Sequence, residues 1–485
     1  MRYLSHFGVI PFPSKMVYHP RSTQFHQVIV IITILLSLSF KECKKATQSE
    51  GWYNAINCRK HTAVLSDFGA KGDGKTSNTK AFRSAVEHLS RFSSDGGAQL
   101  IVPAGKWLTG SFNLTSHFTL FLEKDAVILA SKEQDISEWP ILPALPSYGR
   151  GRDEKDGRYA SLIFGNDLED VVITGNNGTI NGQGPFWWDK FHKKELKHTR
   201  PYLIEIMNSH MVQISNLTLI DAPSWNVHPV YSRDIIIQGL TILAPTNSPN
   251  TDGINPDSCS NVRIEDNYIV SGDDCIAIKS GWDQYGIKYG KPTEHLTIKR
   301  LTCISPKSAT IAIGSEMSGG VRDIRAEDIT ALDTESGVRI KTAKGRGAYV
   351  KDIFVKGMVM KGMKYVFWMT GDYGDHPDKG YDPEAIPVVE GISYKDVVAE
   401  EVNMPGRLVG IEGHGFKDIC ISNVKIELAK KHKKVSWNCT DVGGVWNNVT
   451  PEPCPMFRKD DVECPFPVDK LPIENVELKK CSYGT

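Results

Sequence analysis

The stretch DIIIQGLTI, beginning at Asp234, and the stretch NVRIEDNYI, beginning at Asn261, carry one pattern at a distance of 27 residues. A polar residue comes first, then apolar-x-apolar, then a polar position and further apolar ones. Upstream the same pattern is read in DVVITGNNG from Asp170 and MVQISNLTL from Met211. Downstream it returns in HLTIKRLTC from His295, DIRAEDITA from Asp323, DIFVKGMVM from Asp352 and DICISNVKI from Asp418, with a weaker copy, DVVAEEV, from Asp396. The first apolar positions are 171, 212, 235, 262, 296, 324, 353, 397 and 419, at intervals of 41, 23, 27, 34, 28, 29, 44 and 22. Alternation within each copy is the period of a strand, and a repeat of this length is the signature of a solenoid. Helical solenoids need apolar residues three and four apart, and leucine-rich repeats need a regular leucine framework; neither is present. The expected fold is therefore all-β, a parallel β-helix whose apolar side chains stack inside. The long intervals hold insertions, such as GPFWWDKFHKKELKHTRP after Asn181. Solenoid ends need caps. An amphipathic helix over 79–92 (Ala81, Phe82, Ala85, Val86, Leu89) suits one end, and the cysteine-rich tail suits the other.

Composition narrows the class. Of 485 residues, 40% are hydrophobic and 24% charged, enough for a substantial core. The 57 Lys+Arg balance the 57 Asp+Glu, so no basic excess points to a nucleic-acid partner, and an acidic ligand must be met by a local basic patch. Val28 to Phe40 is a run of thirteen uncharged residues. It falls short of the roughly 20 apolar residues of a membrane span and suits a secretory signal, with a retained single-pass signal-anchor as the alternative. Export is supported by sequons at Asn113, Asn177, Asn216, Asn438 and Asn448. It is supported too by Cys439, Cys454, Cys464 and Cys481, which lack zinc-ligand spacing and read as disulfides of open pairing. The expected organisation is a signal or anchor with its flanks over 1–45 and one domain over 60–485, with core coils over 167–427 and a cap over 428–485.

Three polar clusters interrupt the repeat: SPNTDGINPDSC from Ser248, SGDDCIAIKSG from Ser271 and GVRIKTA from Gly337. Asp252, Asp273, Asp274, Arg339 and Lys341 all lie 11 to 17 residues beyond the preceding first apolar position, in the later half of successive coils. A β-helix stacks such positions along one face, about 4.8 Å per rung. Crowded carboxylates cannot all ionise, so one stays protonated, and a protonated carboxyl beside an ionised one is what glycoside hydrolysis needs. Arg339 and Lys341, two apart, share one side of a strand and can grip a carboxylate. Taken singly, each motif is a turn, a solvated acidic loop or a charged strand face; their shared order and coil phase is what points to a site.

At these residues the chain resembles the polygalacturonases, glycoside hydrolase family 28. Their hallmarks are Asn-Thr-Asp, Asp-Asp, Gly-His-Gly and Arg-Ile-Lys, in that order. Here they read Asn250-Thr251-Asp252, Asp273-Asp274 and Arg339-Ile340-Lys341, and the likeness reaches upstream to DFGAKGDGKTSNTKAF from Asp67. The resemblance implies a right-handed helix and a secreted, inverting hydrolase of α-1,4-galacturonosyl linkages in pectin. Asp273 would be the general acid, and Asp252 and Asp274 would activate water. Arg339 and Lys341 would bind a galacturonate carboxylate, and Tyr373, Asn250, Lys279 and His228 are further candidates for substrate contact. It implies no metal and no organic cofactor, a monomer acting in the cell wall, and a membrane link only if the apolar segment is retained. The chain departs from the family at Ser308-Ala309-Thr310, where Ala309 replaces the histidine that tunes the acid; His228 is the candidate substitute. GSEMSGG, SWNVHPV and the FWWDKF insertion resemble a plant and bacterial branch that includes exo-acting members, and endo or exo action stays open. Hydrolysis of a decorated pectin (rhamnogalacturonan or xylogalacturonan) and inactive pectin binding are the alternatives, the second kept by Ala309. The carboxylate trio argues against a β-elimination lyase.

Overall fold

In a computed structural model of the chain, residues 59–132, 135, 137–430, 436–476 and 478 are described. The apolar run Val28–Phe40 and Cys481 lie outside them. Among the described residues no helix is long and apolar enough to cross a membrane.

The residue that opens each repeat, usually polar, has a backbone reason. Asp170, Met211, Asp234, Asn261, His295, Asp323, Asp352 and Asp418 all have φ between 51° and 58°, the left-handed region. Asp and Asn tolerate it because their short side chains bond locally. Each such corner turns the chain into a strand whose first apolar residue stacks on the coil before. Val171 pairs with Val212, and the column continues through Ile235, Val262, Leu296, Ile324 and Ile353, all buried. At roughly 1.5–3 kcal/mol per fully buried side chain, this stack and its neighbours hold the coils together. One register assignment is corrected. Ile353 pairs with Ile392, which pairs with Ile419; Val397 pairs with Met358. The repeat of that coil is GISYKDVVA, opened by Gly391 at φ 68°. Asp396 is the second left-handed corner of the coil, the place held elsewhere by Asn216, Gly239, Asp266, Asp328 and Asn423.

Parallel pairing runs from His61–Val64 to Phe457–Lys459, so the coils extend past 167–427 at both ends. The helix Thr79–Ser90 turns Ala81, Phe82, Ala85, Val86 and Leu89 inward. At the other end Val442–Thr450 adds a further strand, with disulfides Cys439–Cys454 and Cys420–Cys464. The tail then doubles back along the outside rather than only closing the end. Ser393 Oγ donates to the Pro465 carbonyl at 2.6 Å, and Arg263 Nη1 donates to the carbonyls of Ile473 and Val476, both at 2.9 Å. Leu471 and Ile473 pack on Ile236.

A second sheet faces the groove. Its inward row runs Val227, Ile254, Ile276, Ile311, Val338 and Phe367. The outward neighbours form another row, from Glu205 and His228 through Ala277, Ala312 and Arg339 to Trp368 and Arg407. Towards the N-terminal coils an inserted segment over 141–158 lies on this row. Tyr148 donates its hydroxyl to Asp257 at 2.5 Å, Arg158 binds Glu205 at 2.5 Å, and the Trp282 N–H donates to the Ser147 carbonyl at 2.8 Å.

Candidate active site

Asp252 and Asp274 each lie two residues before an inward residue of the groove sheet, Ile254 and Ile276, and Ala309 has the same relation to Ile311. The shared register stacks them: the Gly253 N–H donates to the Asp274 carbonyl and the Cys275 N–H to the Ala309 carbonyl. Asp273 precedes Asp274 at the corner. Gly272 is needed there, because a Cβ on it would lie 2.1 Å from the Ser248 carbonyl oxygen. The disulfide Cys275–Cys303 ties the corner to the next coil. Oxygens of Asp252, Asp273 and Asp274 all lie within 4.8 Å of one another.

Their surroundings differ. Asp252 is buried; Asn255 Nδ2 donates to its Oδ2 at 3.0 Å, while its Oδ1 is buried without a partner. Burial, and after it the charge of Asp273, pushes its carboxyl up to about 7. Asp274 is also buried, which opposes ionisation. Lys341 Nζ at 2.7 Å, the Ser308 hydroxyl at 2.5 Å and the Ala309 N–H at 3.0 Å outweigh burial and hold it below the usual range. Asp273 is the more open of the three. Its Oδ1 accepts from Ser308 Oγ at 3.1 Å and its Oδ2 from Asn250 Nδ2 at 3.3 Å. The trio offers oxygens in metal-ligand proximity, but the Lys341 ammonium already lies against Asp274.

The structure brings Arg339, Lys341 and Tyr373 together: the Arg339 guanidinium and Lys341 Nζ each lie 5.9 Å from the Tyr373 ring centre. Arg339 stacks on Trp368 at 3.6 Å. Asn250 is anchored by Arg200 Nη2 at 2.7 Å. Lys279 is at the site but is buried and paired with Glu316 at 2.8 Å. His228 is not brought to the groove. Its fully buried ring lies between Glu205 Oε1 at 3.0 Å and Asp257 Oδ2 at 3.4 Å, beneath the inserted segment. Burial disfavours its charged form, but hydrogen bonds to both carboxylates raise its pKa, so it serves a buried ion network. Trp187, Trp188, Trp225 and Trp282, the tryptophans that could stack on sugar rings, are all buried.

Three groups here are not marked by the motifs. Ser308 bridges Asp273 and Asp274; its one signal is its place beside the missing histidine. Glu316, in GSEMSGG, partners Lys279. Arg152, from the inserted segment, lies over the Trp225 ring at 4.9 Å, and no periodicity in GRGRDEKDGR foretells it.

A trio of carboxylates beside paired cations, in a groove on a parallel β-helix, is a glycosidase arrangement, and comparison with known proteins agrees. Residues 94–448 match glycosyl hydrolases family 28. A probable polygalacturonase of Vitis vinifera is 64% identical over 466 residues, covering 95% of this chain and 94% of that one. The crystal structure of a hyperthermoactive exopolygalacturonase from Thermotoga maritima superposes with a TM-score of 0.71 at 28% identity, over 84% of this chain and 95% of that one. A family 28 exopolygalacturonase of Yersinia enterocolitica shares the fold, with a TM-score of 0.68 at 19% identity over 84% and 79%. This right-handed parallel β-helix belongs to glycosyl hydrolases family 28.

Proposed function

We propose that the protein is an exported pectin hydrolase that cleaves α-1,4-galacturonosyl linkages from chain ends. The observation that carries the reading is the stacked trio Asp252, Asp273 and Asp274 with Lys341 and Arg339 two coils on from Asp274. Asp273, the member open to the groove, donates a proton to the leaving glycosidic oxygen. Asp252 and Asp274 take the proton of the attacking water, so one proton enters the cluster for each one it gives. In the free protein that proton rests on Asp252, and the shared cluster passes it to Asp273. Arg339, with Tyr373 beside it, holds a galacturonate carboxylate; Lys341 chiefly keeps Asp274 ionised.

The exo reading is favoured by the inserted segment, which covers the groove row at Glu205, His228 and Asp257, and by likeness to the Thermotoga maritima enzyme. Trp368 and Arg407 stay partly exposed along the other half of the row. Inversion is implied by the family resemblance, although the carboxylates are closer than the ~6.5–9.5 Å usual for inverting pairs. Proton NMR of the first product decides it, and a retained anomer overturns that step.

The primary test is reducing-end release from polygalacturonate by wild type and Asp273→Asn. Loss of about 100- to 10,000-fold is expected for the variant, the usual range for a general acid. A substrate with an activated aryl leaving group should restore turnover to Asp273→Asn but not to Asp252→Asn. The opposite pattern would exchange the two roles.

A further inference from the structure

The cations of the groove are nearly all spoken for: Lys341 by Asp274, Lys279 by Glu316, and Arg200 by Asp153 and Asn250. Arg339 keeps a buried Nε without a partner and lies 3.8 Å from Glu335, whereas Arg152, among the described residues, has no ion-pair partner. The Arg152 guanidinium lies over the face of buried Trp225, which Lys279 Nζ also approaches at 4.9 Å. Its Nη1 is buried and accepted by nothing, and among the described residues no hydrogen bond or ion pair reaches the side chain. Its electrostatic surroundings are the site itself, led by Asp252 and followed by Glu316, Asp273 and Asp153.

The side chain is not a loose surface arginine. Asp153, the next residue, receives Arg200 Nε at 2.8 Å, and its N–H donates to Thr199 Oγ1 at 3.0 Å. Arg200, fully buried, also holds Asn250, which bonds Asp273. One scaffold therefore positions both Arg152 and the acid. Arg152 is half-buried, and the carboxylates around it sustain its charge without touching it, so its buried Nη1 is left with no acceptor. A planar carboxylate is its best-matched partner, through two parallel hydrogen bonds.

We propose that Arg152 receives the carboxylate of the terminal uronic acid ring, on the covered side of the cleavage position. Arg339 then serves the ring on the open side, so both rings flanking the scissile bond are read as free acids. This rests on the uronate-hydrolase reading above. It makes the end subsite selective for an unesterified ring, because a methyl ester removes the charge and half of the bidentate contact.

The test separates binding from turnover. Trigalacturonate is titrated calorimetrically into Asp273→Asn and into Asp273→Asn/Arg152→Gln. The added change should weaken binding about 10- to 100-fold, the range for a lost charge-assisted hydrogen bond, and Asp273→Asn/Arg152→Lys should recover part of it. Trigalacturonate methyl-esterified on its terminal ring should bind both backgrounds alike. Equal affinity of the unesterified ligand for Asp273→Asn and for Asp273→Asn/Arg152→Gln, or equal losses for acid and ester, would overturn the proposal. Melting temperatures matched to Asp273→Asn exclude a folding effect, and if Arg152→Gln fails to fold, the acid-to-ester affinity ratio of Asp273→Asn alone decides, a ratio near one being fatal. Absence of turnover by wild type would sink the hydrolase reading while these titrations still judge Arg152.

Discussion

Asp252 and Asp274 hold the same register position in adjacent coils, yet their surroundings drive them in opposite directions. Asp252 lacks a cation in contact and stays protonated to about pH 7; Asp274 has Lys341 and ionises early. Two consequences can be measured. If the proton on Asp252 supplies the acid, kcat/KM falls as pH rises through about 7, and a maximum above pH 8 would contradict the scheme. For stability, Asp252 binds a proton when folded that the unfolded chain has released above about pH 4. Its contribution is therefore greatest at low pH and is lost as pH rises through about 7. Asp252→Asn should raise the melting temperature at pH 8 by roughly 2–4 °C and change it little at pH 4. Asp274 has the reverse sign, stabilising above its unfolded value and losing that support as acid is added. Ser308 belongs to the same scale. Its hydroxyl bridges Asp273 and Asp274 where the family has a neighbouring histidine. Ser308→Ala should lower kcat/KM about 10- to 100-fold and the melting temperature by a few degrees, as expected for a lost bond to a charged group. It should also move the acid limb of the pH profile upward, since a carboxylate without its donor is harder to ionise; an unmoved limb would make Ser308 merely structural.

At the scale of elements, the left-handed corners decide what is legible. Asp and Asn at a corner leave a polar mark before the strand, so six of the repeat starts, Asp170, Asp234, Asn261, Asp323, Asp352 and Asp418, are readable from residue type alone. The coil at Gly391 is misplaced by that mark because Asp396, its second corner, looks like a first one. Asp252, Asp274 and Arg339 are likewise legible, because their coil phase follows from the same register. Arg152 and the inserted segment are not, since an insertion has no period and its docking on Tyr231, Asp257 and Trp282 depends on side chains far along the chain. His228 misleads for a related reason: its outward position on the groove row is real, but the insertion covers it. The bond Cys275–Cys303 leaves no mark in the spacing because Cys275 follows the acidic pair and lies far from the cysteine-rich tail. Its place gives a contrast to test. Removing it (C275S/C303S) should cost about 2–4 kcal/mol and also lower kcat, because it fixes the corner bearing Asp273 and Asp274. Removing Cys439–Cys454 should reduce stability while leaving kcat within about twofold, because that bond lies at the far end of the solenoid. Equal effects on kcat would mean that the corner does not need its disulfide.

Across the whole molecule, the proposed exo mode of attack rests on which half of the groove row is open. A polysaccharide chain threaded through an endo-acting groove needs floor on both sides of the carboxylates. Here the row towards the N-terminal coils is occupied by protein: Tyr148 on Asp257, Arg158 on Glu205, and His228 sealed between the two carboxylates. These contacts are buried and charged, so opening them for a sugar chain would strand ions without partners, at several kcal/mol each. The inserted segment is tied further to the loop after Thr370, with Trp282 Nε1 and Arg150 donating to the carbonyls of Asp375 and Pro377. These bonds join the inserted segment, Trp282 and the loop after Thr370 into one wall. On the proposed reading, a chain enters from the side of Trp368 and Arg407, and its end reaches Asp273. Early in the digestion of polygalacturonate, the products should therefore be uniformly small, and viscosity should fall slowly relative to reducing ends released. Chromatography of the first few per cent of hydrolysis checks this. A ladder of intermediate oligomers with rapid loss of viscosity would show that the wall yields and the enzyme cuts internally.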